Sequence, residues 1–209
     1  MRIRKPDDGL ARVAVVILAA GSGRRLGLGP KAHVVLGGET FLARIVRTCR
    51  EAGLGTIYVV GSAADAHIDA ARTSLQVRLV MNPDPARGMS SSVAVGLEAV
   101  RVEASALATL VFPVDFPLVR ESTLRLVALA LEPDRESWSR PLFDGEGGHP
   151  IAIDARLVAR VLALGPHVPL RDALHTLGVP STEVTCDDAG VVSDVDLPED
   201  LLAVRRALP

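Results

Sequence analysis

With 209 residues, 48% of them hydrophobic, the chain is long enough to bury a sizeable core and short enough to be one domain. A formal net charge of −2 with both signs interspersed leaves no basic stripe for nucleic acid, and no apolar run is long enough to span a bilayer. That balance points to a small partner, and the two cysteines, Cys49 and Cys186, have no C-x-x-C spacing, which suggests neither a metal knuckle nor a redox pair and points to a cytoplasmic protein.

Residues 1–12 read as a flexible N-terminal extension ahead of a domain at 13–209. Arg2, Arg4 and Lys5 before an apolar run imitate a secretory signal, but Asp7 and Asp8 interrupt the pattern. Residues 13–19, VAVVILA, are aliphatic without polar alternation, as in a strand covered on both faces of a parallel sheet. A glycine-rich loop follows. Gly21 and Gly23 permit positive φ and close backbone approach, so successive amides can point at one anion, while Arg24, Arg25 and Lys31 add charge. This order suggests a nucleotide-phosphate cradle. It is not the dinucleotide fingerprint, because Leu26 stands where a third glycine is needed. Nor is it the Walker loop, because Gly29-Pro30-Lys31-Ala32 lacks the Gly-Lys-Ser/Thr ending.

Beyond a turn at 34–38, Thr40 can cap a helix to about residue 52 with Phe41, Leu42, Ile45, Val46 and Cys49 inward, which makes Cys49 a core residue rather than a nucleophile. A strand at 56–60, a helix at 63–71 and a strand at 77–81 complete a βαβαβ pattern. Such alternation predicts a mostly parallel sheet with ligands at the carboxyl ends of its strands. In the loop that follows, Asn82, Gly88, Ser90, Ser91 and Ser92 either cap the next helix or offer donors to a base or phosphate. The strand at 107–114 ends at Asp115, placed either to hold a divalent cation or to close an Asx-turn. After a helix at 120–131, residues 138–143 and 149–153 read as a hairpin joined by the glycine-rich 144–148, an acceptor lip in which His149 hydrogen-bonds substrate or orients the turn. Helices are expected at 154–164 and 170–177. The segment 191–200 reads as a strand leading into a final helix, with Asp194 and Asp196 on one face. Asp196 and Glu199 also form a capping-box pattern, in which case Asp194 becomes the better second metal ligand.

Leu18-Ala19-Ala20-Gly21-Ser22-Gly23-Arg24-Arg25-Leu26-Gly27 followed by Lys31 resembles the opening signature of nucleotidyltransferases that couple a nucleoside triphosphate to a phosphorylated acceptor. Asn82-Pro83 with Gly88-Met89-Ser90, Pro117 after Asp115, Gly148-His149-Pro150 and Asp194-Val195-Asp196-Leu197-Pro198-Glu199-Asp200 extend the resemblance to the molybdenum cofactor cytidylyltransferases over the whole chain from Val13. The resemblance implies a single Rossmann-like three-layer α/β/α domain of the nucleotide-diphospho-sugar transferase type. It also implies transfer of CMP from CTP to molybdopterin with Mg²⁺ as cofactor. Arg25, Lys31 and Asp115 would be catalytic, residues Leu18 to Arg24 and the 82–92 loop would bind nucleotide, and Asp115 with Asp194 or Asp196 would hold the metal. One departure stands out: Val114-Asp115-Phe116-Pro117 replaces Gly-Asp-Met-Pro or Gly-Asp-Gln-Pro, adding bulk beside the metal and an aromatic surface at Phe116 on the acceptor side. Another phosphorylated acceptor with CTP, UTP or GTP, an NAD-linked oxidoreductase, and a non-catalytic nucleotide-sensing domain are the alternatives.

Overall fold

A computed structural model describes residues 7–103 and 105–207. In chain order its elements are α1 (Asp7–Leu10), β1 (Val13–Leu18), a ribbon of β2 (Val35–Leu36) and β3 (Glu39–Thr40), α2 (Phe41–Glu51), β4 (Ile57–Ser62), α3 (Ile68–Ser74), β5 (Arg78–Asn82), α4 (Met89–Glu103) and β6 (Ala108–Pro113). Then come α5 (Glu121–Leu129), β7 (Trp138–Phe143), β8 (Glu146–Gly147), β9 (Ile151–Asp154), α6 (Ala155–Ala163), α7 (Leu170–Thr176), β10 (Ser181–Thr185) and α8 (Pro198–Ala207).

The aliphatic run of β1 lies mid-sheet. Val13, Val15 and Ile17 enter one core and Ala14, Val16 and Leu18 the other, so the period of two divides the strand between two buried faces. The sheet order is β10-β7-β9-β6-β1-β4-β5. β1 pairs in parallel with β4 and β6, whereas β9 runs antiparallel to β6 and to β7. On one face Phe41, Leu42 and Ile45 of α2 pack with Leu124 of α5 and Phe112 of β6; on the other, Leu97, Leu157 and Leu174 of α4, α6 and α7 surround Trp138. Gly96 brings α4 close to the sheet, since a Cβ there would lie 2.2 Å from Val16 Cγ1. No described helix is long and apolar enough to cross a membrane.

The chain winds from β1 to β4 and β5, then crosses back to set β6 on the other side of β1. Winding reverses between β1 and β6, and at such a reversal a crevice opens outside the carboxyl ends of the strands. The glycine-rich loop leaves the end of β1 there, and Asp115 follows the end of β6.

Four expectations are corrected. Residues 1–6 of the expected flexible extension lie outside the described residues, but Asp7–Leu10 is a helical turn whose Leu10 is buried in the core. Helix α3 starts at Ile68 rather than residue 63, because Ser62 holds the chain in a turn: Ala64 N donates to its Oγ at 3.2 Å and Asp65 N to its carbonyl at 2.9 Å. Strands β7 and β9 pair antiparallel as expected, but the connection between them is not a plain loop: it forms a tight hairpin of β7 with β8 around Asp144 and Gly145 at φ 48° and 81°. Residues 191–196 form no strand, and the far edge of the sheet is taken by β10, which no sequence signal announced.

Candidate active site

The loop after β1 is held in shape by its own residues. Gly23 has φ +59°, and a Cβ there would stand 1.9 Å from the Gly29 carbonyl oxygen, so only glycine fits. Gly27 N closes the turn on Gly23 O at 3.1 Å, and Leu26, the residue that spoils the dinucleotide fingerprint, is buried in the core as an anchor. Gly21 differs from expectation: its φ is not positive and open space surrounds it. Leu18 and Ala19 have buried side chains, with the Leu18 carbonyl accepting from Val114 N at 3.1 Å and the Ala19 amide donating to Val60 O at 2.9 Å. The amides of residues 20–25 make no backbone bond among the described residues, which leaves Ala20, Gly21, Ser22, Gly23, Arg24 and Arg25 as the stretch able to offer them to an anion.

Pro30 then turns the chain into a single 3-10 turn, Lys31–His33. Lys31 is only 8% exposed, yet its Nζ donates to Asp115 Oδ2 at 3.0 Å and to Asp196 Oδ1. The other oxygen of Asp196 pairs with Arg25, whose side chain is largely in solvent. Val195 N donates to the Asp115 carbonyl at 2.8 Å and brings the 194–196 segment against β6, with the Val195 side chain fully buried. Two cations near the amino terminus and two acids from distant segments thus meet at the crevice. The capping-box reading of Asp196 fails, because Asp200 does that work: its Oδ2 accepts from Asp196 N at 3.0 Å and Leu197 N at 2.7 Å.

The acids differ in state. The Lys31 hydrogen bond, with the charges of Lys31 and Arg25, holds Asp196 below the usual carboxylate range. Asp194 is pushed up by burial and by the negative charge of Asp115. Asp115 Oδ1 is buried with no hydrogen-bond partner among the described residues. An unpaired buried carboxylate oxygen beside a second acid suits a hard divalent cation. No three His, Cys, Asp or Glu side chains among the described residues could hold a metal by themselves, so phosphate oxygens would have to complete the coordination, as Mg²⁺ often has them do.

The 82–92 loop is organised around Asn82, which is buried. Its Nδ2 donates to Ser91 Oγ and Ser92 Oγ, both at 2.9 Å, while Oδ1 accepts from Asp84 N at 3.0 Å. Ser91 Oγ donates onward to Gly88 O at 2.7 Å. Ser91 and Ser92 therefore point inward and neither caps α4 through its side chain; Gly88, at φ 90°, is exposed and Ser90 half-buried.

On the other side of Asp115, the Phe116 and His149 rings lie 4.8 Å apart at 48°. His149 N donates to Val191 O at 2.8 Å, and its Nδ1 is buried without a partner among the described residues. Burial pushes the imidazole down to about 4 against the opposing pull of Asp115, so the ring is neutral at physiological pH. The Val114 side chain is buried in the core. The thiol of Cys49 is pushed up by complete burial, in keeping with a packing role.

Two residues escaped the sequence reading. Asp188, nearly fully buried, accepts from Arg120 N at 2.8 Å, Thr123 Oγ1 at 2.6 Å and Gly190 N at 3.1 Å, and so caps α5 from a distant segment. Asp65 holds His33, two residues from Lys31, and lay in a stretch expected to be helical. Neither pairing has a local sequence signal.

The family profile described as MobA-like NTP transferase domain matches residues 15–181. Nicotine blue oxidoreductase of Paenarthrobacter nicotinovorans is 31% identical over 206 residues, covering 93% of this chain and 97% of that protein. The 2-C-methyl-D-erythritol 4-phosphate cytidylyltransferase of Deinococcus radiodurans is 56% identical over a stretch of 41 residues, 20% of this chain and 18% of its own. Among solved structures, a nucleotidyl transferase from Methanothermobacter thermautotroptrophicus superposes with a TM-score of 0.78 at 26% identity, covering 94% of this chain and 97% of that one.

Proposed function

The chain belongs to the MobA-like NTP transferase family, with its nucleotide-diphospho-sugar transferase fold, and we propose that it moves a nucleoside monophosphate from a nucleoside triphosphate onto a small phosphorylated acceptor. CTP is the favoured donor, because Ala19-Ala20-Gly21 resembles the cytidylyl and uridylyl branches and one relative over a short stretch is a cytidylyltransferase. Molybdopterin is the default acceptor from the family resemblance. With Cys49 and Cys186 both free, we place the reaction in the cytoplasm.

An acceptor phosphate oxygen attacks the α-phosphorus in line, a new P–O bond forms, and pyrophosphate leaves with the electron pair of the broken one. No protein nucleophile is needed. Arg25 and Lys31 turn from Asp196 to carry the charge growing on pyrophosphate, and the 20–25 amides orient the phosphate chain. Asp115, through its unpaired Oδ1, and Asp194 would hold Mg²⁺, which when bound neutralises phosphate charge. Asp196, already neutralised by Lys31 and Arg25, serves as their resting partner. Neutral His149 and Phe116 face the acceptor.

The observation that carries this reading is the meeting of Arg25, Lys31, Asp115 and Asp196 at the crevice between β1 and β6. The test is pyrophosphate release from CTP and Mg²⁺ on adding molybdopterin. Release is expected, with Asp115→Ala slower by at least about a hundredfold; near-wild-type turnover in Asp115→Ala would refute the assignment. A second reading, an oxidoreductase with an aromatic substrate stacked at the Phe116–His149 pair, is favoured by that pair and by the relative named nicotine blue oxidoreductase, which matches over 97% of its length. It predicts oxidation of a reduced nicotinamide nucleotide without pyrophosphate release.

A further inference from the structure

Lys31 is approached from behind by a pair that the transfer mechanism does not use. His33, the last residue of the same 3-10 turn, places Nε2 2.7 and 2.9 Å from the two carboxylate oxygens of Asp65. The Asp65 side chain is 4% exposed, and its Oδ1 also accepts the His67 amide at 3.0 Å. Asp65 is itself fixed to the end of β4 by its amide bond to the Ser62 carbonyl at 2.9 Å. The His67 ring stands nearly perpendicular to that of His33, 5.9 Å between centroids. Because an ionised carboxylate only accepts, Nε2 carries the hydrogen in this contact.

We propose that His33, held by Asp65, is a positioning residue that fixes the turn from which Lys31 reaches the crevice. Before Lys31 the chain is fixed by the buried Leu26 and by Pro30, and the His33–Asp65 contact fixes the turn from its other end. The bonds from Lys31 to Asp115 and Asp196 break when Nζ turns to a phosphate, whereas the His33–Asp65 contact lies on the far side of the turn and persists. The brace therefore holds the turn with and without nucleotide, and only its effect on affinity rests on the nucleotide-binding reading.

The sequence contains one other lysine, Lys5, so acylation of Lys31 by an amine-reactive reagent can be followed cleanly by peptide mass spectrometry on the full chain. In His33→Ala, Lys31 is expected to label about ten times faster, the factor that loss of one charge-assisted hydrogen bond supplies. His33→Gln, whose amide can still donate to Asp65, should stay within about twofold of wild type. Asp65→Asn should move in the same direction as His33→Ala. Affinity for CTP with Mg²⁺ should fall about tenfold in His33→Ala, and by less than about twofold when the same change is made in a Lys31→Ala background. Unchanged Lys31 labelling in His33→Ala, no rescue by His33→Gln, or an equal loss of affinity with and without Lys31 would overturn the brace. Absence of CTP binding by wild type would instead overturn the nucleotide reading, and the labelling would still decide the brace.

Discussion

Gly23 and Gly21 are the same letter two positions apart and do different work. In Gly23 an added Cβ meets the Gly29 carbonyl at 1.9 Å at a φ of +59°, while Gly21 has neither a left-handed φ nor a close neighbour. Gly23→Ala is expected to lower stability by about 1–3 kcal/mol in chemical denaturation, and Gly21→Ala to stay within about 0.5 kcal/mol; equal effects would contradict the loop geometry. The sequence showed that the loop needed glycine but not which glycine, because φ is set by where the chain must return. His149 was open between substrate contact and turn former, and its burial adds a pH signature. The unfolded chain takes up a proton near the ordinary histidine value of about 6.5, the folded chain only near 4, so the stability of the neutral ring is complete above about 6.5 and lost as pH falls toward 4. Between those limits wild type should lose up to about 3 kcal/mol more than His149→Gln. Parallel pH profiles for the two would remove burial as the cause.

Helix α2 was legible because two local signals agree: an apolar stripe, and Thr40, whose Oγ1 accepts from Ala43 N at 3.1 Å. Strand β10, Ser181–Thr185, was not, because an edge strand with a single aliphatic residue is specified by its partner β7 rather than by its own letters. The same holds for α5, whose N-terminus is satisfied by Asp188 from 68 residues away. Asp188→Ala strands the Arg120 and Gly190 amides and the Thr123 hydroxyl, and should cost about 3 kcal/mol in urea unfolding. It should also slow turnover, because Asp188 fastens the segment that leads to Asp194 and Asp196. A loss under about 1 kcal/mol would show that water replaces the carboxylate there.

At the scale of the molecule, alternating strands and helices announced a parallel sheet with its crevice at the strand ends, and the reversal of winding between β1 and β6 puts that crevice where the glycine loop and Asp115 emerge. The individual charges were legible as motif letters. Their pairing was not: Lys31 meets Asp115 across 84 residues and Asp196 across 165, distances over which only the completed sheet decides who is adjacent to whom. The most direct test of this convergence is a crystal structure with Mg²⁺ and a CTP analogue that cannot be cleaved between the α- and β-phosphates. The account predicts the triphosphate against the amides of residues 20–25, with Lys31 and Arg25 moved from Asp196 onto phosphate oxygens and the metal on Asp115 Oδ1. A nucleotide seated elsewhere, with the Lys31–Asp196 pair still closed, would contradict it.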